Sequence, residues 1–261
     1  MSTAATEGGK WIRRFDVESD GGITLICFPH AGGSASFFRP VSMRLAPEVD
    51  VLAVQYPGRQ DRYREPVITE IGELADRIAT ELAGLPGPPP VYLGHSMGAV
   101  LAFEVALRLE ERDRNSPRAL LLSGRRAPSE KYVERNVHLN PDDDVIAELK
   151  LLSGTSPDLL GDDDMLRLVL PAIRGDFRAI ETYVADPESV VRCPITALVG
   201  DADPLTTVDE VRAWGKHTSS AFEAKVFAGG HFYLAERQSE VIEEIRTQLR
   251  HLSAPADARG N

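Results

Sequence analysis

The chain has 261 residues, 43% of them hydrophobic, enough to bury the core of one sizeable α/β domain. Its formal net charge of −11 argues against nonspecific nucleic-acid binding and against adhesion to an anionic membrane. Two cysteines without metal-like spacing, no apolar leader and no bilayer-spanning run lead us to expect a cytoplasmic protein with reduced thiols.

Residues 1–10 and 253–261 are small, polar and Gly/Ala-rich, and both are expected to be frayed and disordered, leaving 11–252 as the domain. Ile23–Phe28 reads as an apolar strand, followed by a Gly-rich turn and a helical stretch around Phe37–Leu45. Val51–Val54 is the next strand, and Ile71–Leu82 carries apolar residues at 71, 74, 75, 78 and 82, the spacing of one helix face. A Gly/Pro-rich connector, 84–90, leads into strand Pro90–Leu93 and helix Ala99–Leu109. Ala119–Leu122, Ile195–Val199 and Phe222–Phe227 read as further strands, and Glu240–Leu252 as a closing amphipathic helix. Such alternation predicts an α/β fold class, a mostly parallel sheet with helices on both faces.

From about 125 to 191 the alternation stops. That interval offers only helical runs, such as Val145–Leu152 and Met165–Tyr183, and is expected to be a helical lid inserted over one end of the sheet. Asp142-Asp143-Asp144 and Asp162-Asp163-Asp164 precede these helices, where carboxylates favour a helix N-terminus, and neither run has the ligand spacing of a calcium loop.

Gly94-His95-Ser96-Met97-Gly98 joins a buried strand to a long helix, the context of a nucleophile elbow. The tight turn projects the Ser96 hydroxyl above the sheet, and the residues two before and two after must be small. A base and an orienting acid are then needed. His231 lies in the loop Phe227-Ala228-Gly229-Gly230-His231-Phe232 just after a strand, the position an α/β-hydrolase histidine requires. His95 lies inside the elbow, a poor place from which to relay a proton to Ser96. Asp201 and Asp203 both follow the strand ending at Gly200; Asp203, further out in the loop, is chosen as the acid and Asp201 as the turn residue. In the turn Phe28-Pro29-His30-Ala31-Gly32-Gly33-Ser34 small residues let backbone N–H groups approach a ligand, and no Lys-Ser/Thr of a phosphate cradle follows; the oxyanion hole is assigned to the N–H groups of Met97 and Ala31.

With these segments in place, the chain resembles the type II thioesterases, stand-alone α/β hydrolases that accompany polyketide synthases and nonribosomal peptide synthetases. The likeness runs from Ile23 to Leu252 and rests on Phe28-Pro29-His30-Ala31-Gly32-Gly33, Tyr56-Pro57-Gly58-Arg59, the elbow, Gly200-Asp201-Ala202-Asp203-Pro204 and Gly229-Gly230-His231-Phe232. Pro171-Ala172-Ile173-Arg174-Gly175-Asp176-Phe177 resembles the family's lid helix, whereas 136–140 departs from its usual pattern. The resemblance implies Ser96 as nucleophile, His231 as base and Asp203 as orienting acid, without metal or redox cofactor. It also implies a substrate acyl group held by thioester on the phosphopantetheine arm of an acyl or peptidyl carrier protein, removed to restart stalled or misprimed assembly lines. A monomer with no nucleic-acid or membrane partner is expected.

Carrier proteins are generally acidic, as is this chain, so docking would need local basic clusters. Arg59, Arg62 and Arg64 form one candidate, and Arg125, Arg126, Lys131 and Arg135 another at the lid entrance; a solvated face with scattered charge is the alternative. Three other functions are open: an esterase or lipase of the same fold, a product-releasing or medium-chain thioesterase, and a catalytically silent synthase-binding partner.

Overall fold

The computed structural model describes residues 9–253 except 16, 18, 21, 131–134 and 153–162. The expected frayed ends, apart from residues 9, 10 and 253, lie outside the described residues, as do Asp162 and Lys131. Seven strands form one sheet: β1 Ile12–Arg14, β2 Ile23–Phe28, β3 Val49–Val54, β4 Val91–His95, β5 Ala119–Ser123, β6 Ile195–Gly200 and β7 Phe222–Phe227. Their spatial order is β1-β3-β2-β4-β5-β6-β7, all neighbours parallel except the antiparallel β1–β3 edge pair. β1 went unread because its sequence, Ile-Arg-Arg, has three residues and one apolar side chain.

Strand periodicity divides the core into two layers. Ile26, Phe28, Tyr92, Leu120 and Leu122 face one side, where they pack with the helices α2 Ile71–Leu82 and α3 Met97–Glu111. Leu25, Cys27, Val91, Leu93 and Leu121 face the other, against α1 Arg39–Leu45 and residues of the C-terminal helix, Gln238–Ser253. α2 buries positions 71, 74, 75, 78, 79 and 82, the stripe its sequence spacing predicts. Both cysteines are free and buried, and burial pushes the Cys193 thiol up to about 12.

Between β5 and β6 the described residues contain a 3-10 turn at Val137–Leu139 and two helices, α4 Asp142–Leu152 and α5 Asp163–Glu181, which runs through Pro171. Val137, Val145, Leu149, Leu170 and Ile173 give this cover a small core of its own. α6 Val208–Arg212 starts with a capping box between Thr207 and Glu210, and α7 Tyr233–Glu236 precedes the C-terminal helix, α8. No described helix is long and apolar enough to cross a membrane. β3 lies on one side of β2 and β4 on the other, so the connections leaving β2 and β4 diverge there, opening the crevice where α/β sheets bind ligands.

Candidate active site

The elbow lies at that crevice, and its geometry is set by backbone contact. Ser96 has φ 54° and ψ −116°, a strained conformation for a non-glycine residue, of a kind that costs about 1–3 kcal/mol. A Cβ on Gly98 would sit 1.9 Å from the Phe28 carbonyl oxygen, and one on Gly94 2.2 Å from the Gly98 carbonyl oxygen. Only hydrogen fits at either position, so β2, β4 and α3 close around the serine. The Ser96 N–H donates to the Ser123 carbonyl at 2.8 Å, which ties the turn to β5. As the first residue of α3, Met97 has an N–H with no acceptor inside the helix.

The loops after β6 and β7 are joined in the same way. Asp201 and Ala202 donate their N–H groups to the carbonyls of Phe227 and Gly229, at 2.8 and 3.0 Å. A Cβ on Gly200 would lie 2.4 Å from the oxygens of both Gly229 and Gly230. This contact brings the Asp203 carboxylate to the His231 imidazole, with Oδ2 2.8 Å from Nδ1. The other carboxylate oxygen accepts the Leu205 N–H at 2.8 Å, and the Asp203 side chain is fully buried. Asp201 instead accepts the Gly229 N–H at 3.0 Å, bracing the histidine loop. Since a carboxylate on Nδ1 favours the tautomer with its proton there, Nε2 is left as the basic nitrogen.

His95 packs beside His231 and His30 beside His95, and sequence reasoning gave neither a role. His95 is completely buried, with its ring centroid 5.0 Å from that of His231, and its Nδ1 is 2.9 Å from the Ser123 hydroxyl, which contacts the Tyr233 hydroxyl at 2.6 Å. His30 stacks edge-on against Phe37 and Phe232. Desolvation, with smaller contributions from His231 and Arg59, pushes the His30 pKa down to about 3. Desolvation also holds His95 well below the ordinary histidine value, so both rings are neutral near pH 7. The one sequence signal for such burial was the apolar strand in front of each histidine.

Ser96 and His231 line one cavity of about 420 Å³, together with Ala31 from the turn after β2. The cover supplies Leu149, Ile173, Phe177 and Ile180 as its apolar wall.

The expected basic docking clusters require correction. Arg59 and Arg62 are only 6% and 5% exposed, and Arg126 is 5% exposed. Arg59 forms a two-pronged ion pair with Asp176, at 2.5 and 2.7 Å. Arg62 donates to the Gln55 carbonyl and to Glu65, with its guanidinium 4.3 Å from the Trp11 ring centroid. Arg126 donates to the Leu205 carbonyl at 2.8 Å. A guanidinium withdrawn from water needs such partners, and these arginines are thereby taken away from any docking protein. Arg125 is half-buried on the cavity wall, and Arg135, although exposed, forms a two-pronged pair with Glu148. In the first cluster, Arg64 remains at the surface.

A family model described as "Thioesterase domain" matches residues 23–249. A Streptomyces griseus protein named "Probable cadicidin biosynthesis thioesterase" is 48% identical over 98% of this chain and 71% of its own length. Thioesterase PikA5 of Streptomyces venezuelae is 45% identical over 97% of this chain and 90% of its own length. Among solved structures, the type II thioesterase BorB from the borrelidin biosynthetic cluster superposes with a TM-score of 0.86 at 47% identity, covering 95% of this chain and 100% of that one.

Proposed function

Because the chain belongs to the thioesterase family, we propose that it is a stand-alone editing enzyme which cleaves acyl groups from the phosphopantetheine arm of acyl or peptidyl carrier proteins in polyketide or nonribosomal peptide synthesis. The observation that carries this reading is the junction of a strained Ser96 with the buried Asp203–His231 pair at one cavity, 2.8 Å separating carboxylate and imidazole.

In the reaction, Ser96 Oγ attacks the thioester carbonyl as His231 Nε2 takes its proton. Asp203 holds the imidazole and stabilises the positive charge that it gains. The negative charge on the former carbonyl oxygen falls to the N–H groups of Met97 and Ala31, each such donor contributing a factor of about 10² to 10³ in rate. Collapse of this intermediate breaks the carbon–sulfur bond, and His231 returns the proton to the departing thiol. Water, deprotonated by the same imidazole, then attacks the acyl-serine ester, releasing the acid and restoring Ser96. A helical lid over about 125–191 would hold the acyl chain against its apolar wall, with the chain's exposed end leading to the carrier.

The test is a panel of acyl-loaded carrier proteins, with deacylation followed by intact-protein mass spectrometry. Turnover of carrier-bound thioesters should exceed that of matched oxygen esters, and Ser96→Ala should lower it by about 10⁶. Preference for oxygen esters would instead make this an esterase, and activity unchanged in Ser96→Ala would remove the serine mechanism.

A further inference from the structure

The turn from Pro29 to Ala35 carries Ala31, and side chains from two distant segments hold its backbone. From the loop after β3, the Tyr56 hydroxyl donates to the Pro29 carbonyl at 3.0 Å, and Gln55 Oε1 accepts the Ala35 N–H at 2.9 Å. Arg59, from the same loop, donates to the Gly33 carbonyl at 3.0 Å. The fourth contact comes from the cover: Asp176, on α5, accepts the Gly32 N–H at 2.7 Å through Oδ2. That same oxygen also receives the Arg59 guanidinium at 2.5 Å.

α5 touches the turn through apolar atoms as well. A Cβ on Gly32, where φ is +76°, would sit 3.0 Å from Ile173 Cγ1. Ile173, Phe177 and Ile180 line the cavity from that helix, and Asp176 lies beside them, 1% exposed. The helix that walls the cavity therefore also grips the peptide unit directly after Ala31. A carboxylate this deeply buried is costly unless its oxygens are matched, and here one oxygen is shared between a peptide N–H and an arginine.

We propose that Asp176, held by Arg59, is a positioning residue that clamps the turn from the cover and so aims the Ala31 N–H at the transition-state oxyanion. This inference rests on the reading of Ala31 as an oxyanion donor. The clamp acts on the rate of the chemical step rather than on acyl binding, because the Asp176 carboxylate is spent on Gly32 and Arg59.

Removing one charge alone would strand the other, so the decisive variant is the double substitution Arg59→Met with Asp176→Leu, which deletes both charges at similar volume. Asp176→Asn, which keeps an acceptor for Gly32, serves as the conservative comparison. The readouts are kcat and KM on an acyl-pantetheine thioester, affinity for an alkyl trifluoromethyl ketone that forms a tetrahedral oxyanion on serine, and affinity for the matching inert alkyl thioether. For the double variant we expect kcat to fall between about 10- and 100-fold, with KM within about threefold of wild type. The ketone should weaken by the same factor as kcat while the thioether stays unchanged, and Asp176→Asn should retain more kcat than the double variant. A folded double variant with wild-type kcat and ketone affinity overturns the clamp, as does equal weakening of both ligands. If the double variant does not fold, Asp176→Asn decides: a loss confined to the ketone supports the clamp, and either unchanged ketone affinity or a loss matched by the thioether overturns it. Wild-type enzyme that forms no ketone adduct at Ser96 would defeat the thioesterase mechanism itself, an outcome separable from these.

Discussion

The rim of the sheet and the helical cover above it are held together by different means. At the rim, backbone meets backbone: Gly98 against Phe28, Gly94 against Gly98, and Gly200 against Gly229 and Gly230, each leaving no room for a Cβ. In the cover, polar side-chain ties add to the small apolar core. Arg174 bonds the carbonyls of His138 and Asn140 and the Asp142 carboxylate, Glu181 accepts the N–H groups of Val137 and His138, and Arg135 pairs with Glu148. Backbone contacts tolerate almost no change, whereas polar side-chain ties can be exchanged one at a time. Ser96 and the Asp203–His231 pair thus stand on the backbone-locked region, and the apolar wall of the cavity stands on the cover.

The strongest challenge to this contrast is Gly98→Ala. Its methyl group would overlap the Phe28 carbonyl, so we expect a loss of more than about 3 kcal/mol in stability together with loss of turnover, checked by urea denaturation. A variant of wild-type stability would show that the rim yields more readily than the contacts imply. The two loop aspartates sharpen the comparison further. Asp203→Asn should lower kcat by about 10⁴ by favouring the wrong imidazole tautomer. Asp201→Ala, which removes one hydrogen bond to Gly229, should cost about 1 kcal/mol of stability and less than tenfold in rate. Equal rate losses would mean that both acids serve the histidine.

In the cover the effects should be smaller. Arg135→Ala breaks a partly exposed pair at the cavity and should change KM by no more than about fivefold, with kcat retained and the order of preference among acyl groups altered in a substrate panel. The last effect concerns pH. His30 titrates at about 3 in the folded protein against an ordinary 6.5, so below pH 6.5 the unfolded chain takes up a proton that the folded chain refuses. Stability from this residue is therefore complete above pH 6.5 and declines as pH falls toward 3, with a limiting slope of about 1.4 kcal/mol per pH unit. Urea midpoints at pH 7.5 and 5 should differ less in His30→Gln than in wild type; an unchanged difference would show that His30 is solvated or paired.

The same contrast explains what could be read from the sequence. The elbow and the acid and histidine loops were legible because glycine is demanded at fixed offsets, by backbone contact at Gly94, Gly98 and Gly200 and by a φ of +134° at Gly229 before His231. Long helical stretches were legible through their apolar spacing, α5 among them despite Pro171. The burial of Arg59 was not, since an arginine in a Gly-containing loop resembles a solvated basic patch until Asp176, 117 residues away, is placed on it. His30 and His95 escaped for a related reason: a histidine's burial depends on what packs over it, here Phe37 and Phe232 from separate segments. The helical position of Asp176, between Ile173 and Phe177 and beside Ile180, places it on an apolar face and was the available hint of a buried ion pair.

Labelling by an alkyl fluorophosphonate, with the modified residue located by peptide mass spectrometry, tests most directly whether the Asp203–His231 pair activates Ser96. A single adduct on Ser96 is expected in the wild-type chain, formed at least about 10³-fold more slowly in His231→Ala. An adduct on another residue, or an undiminished rate in His231→Ala, would contradict that activation.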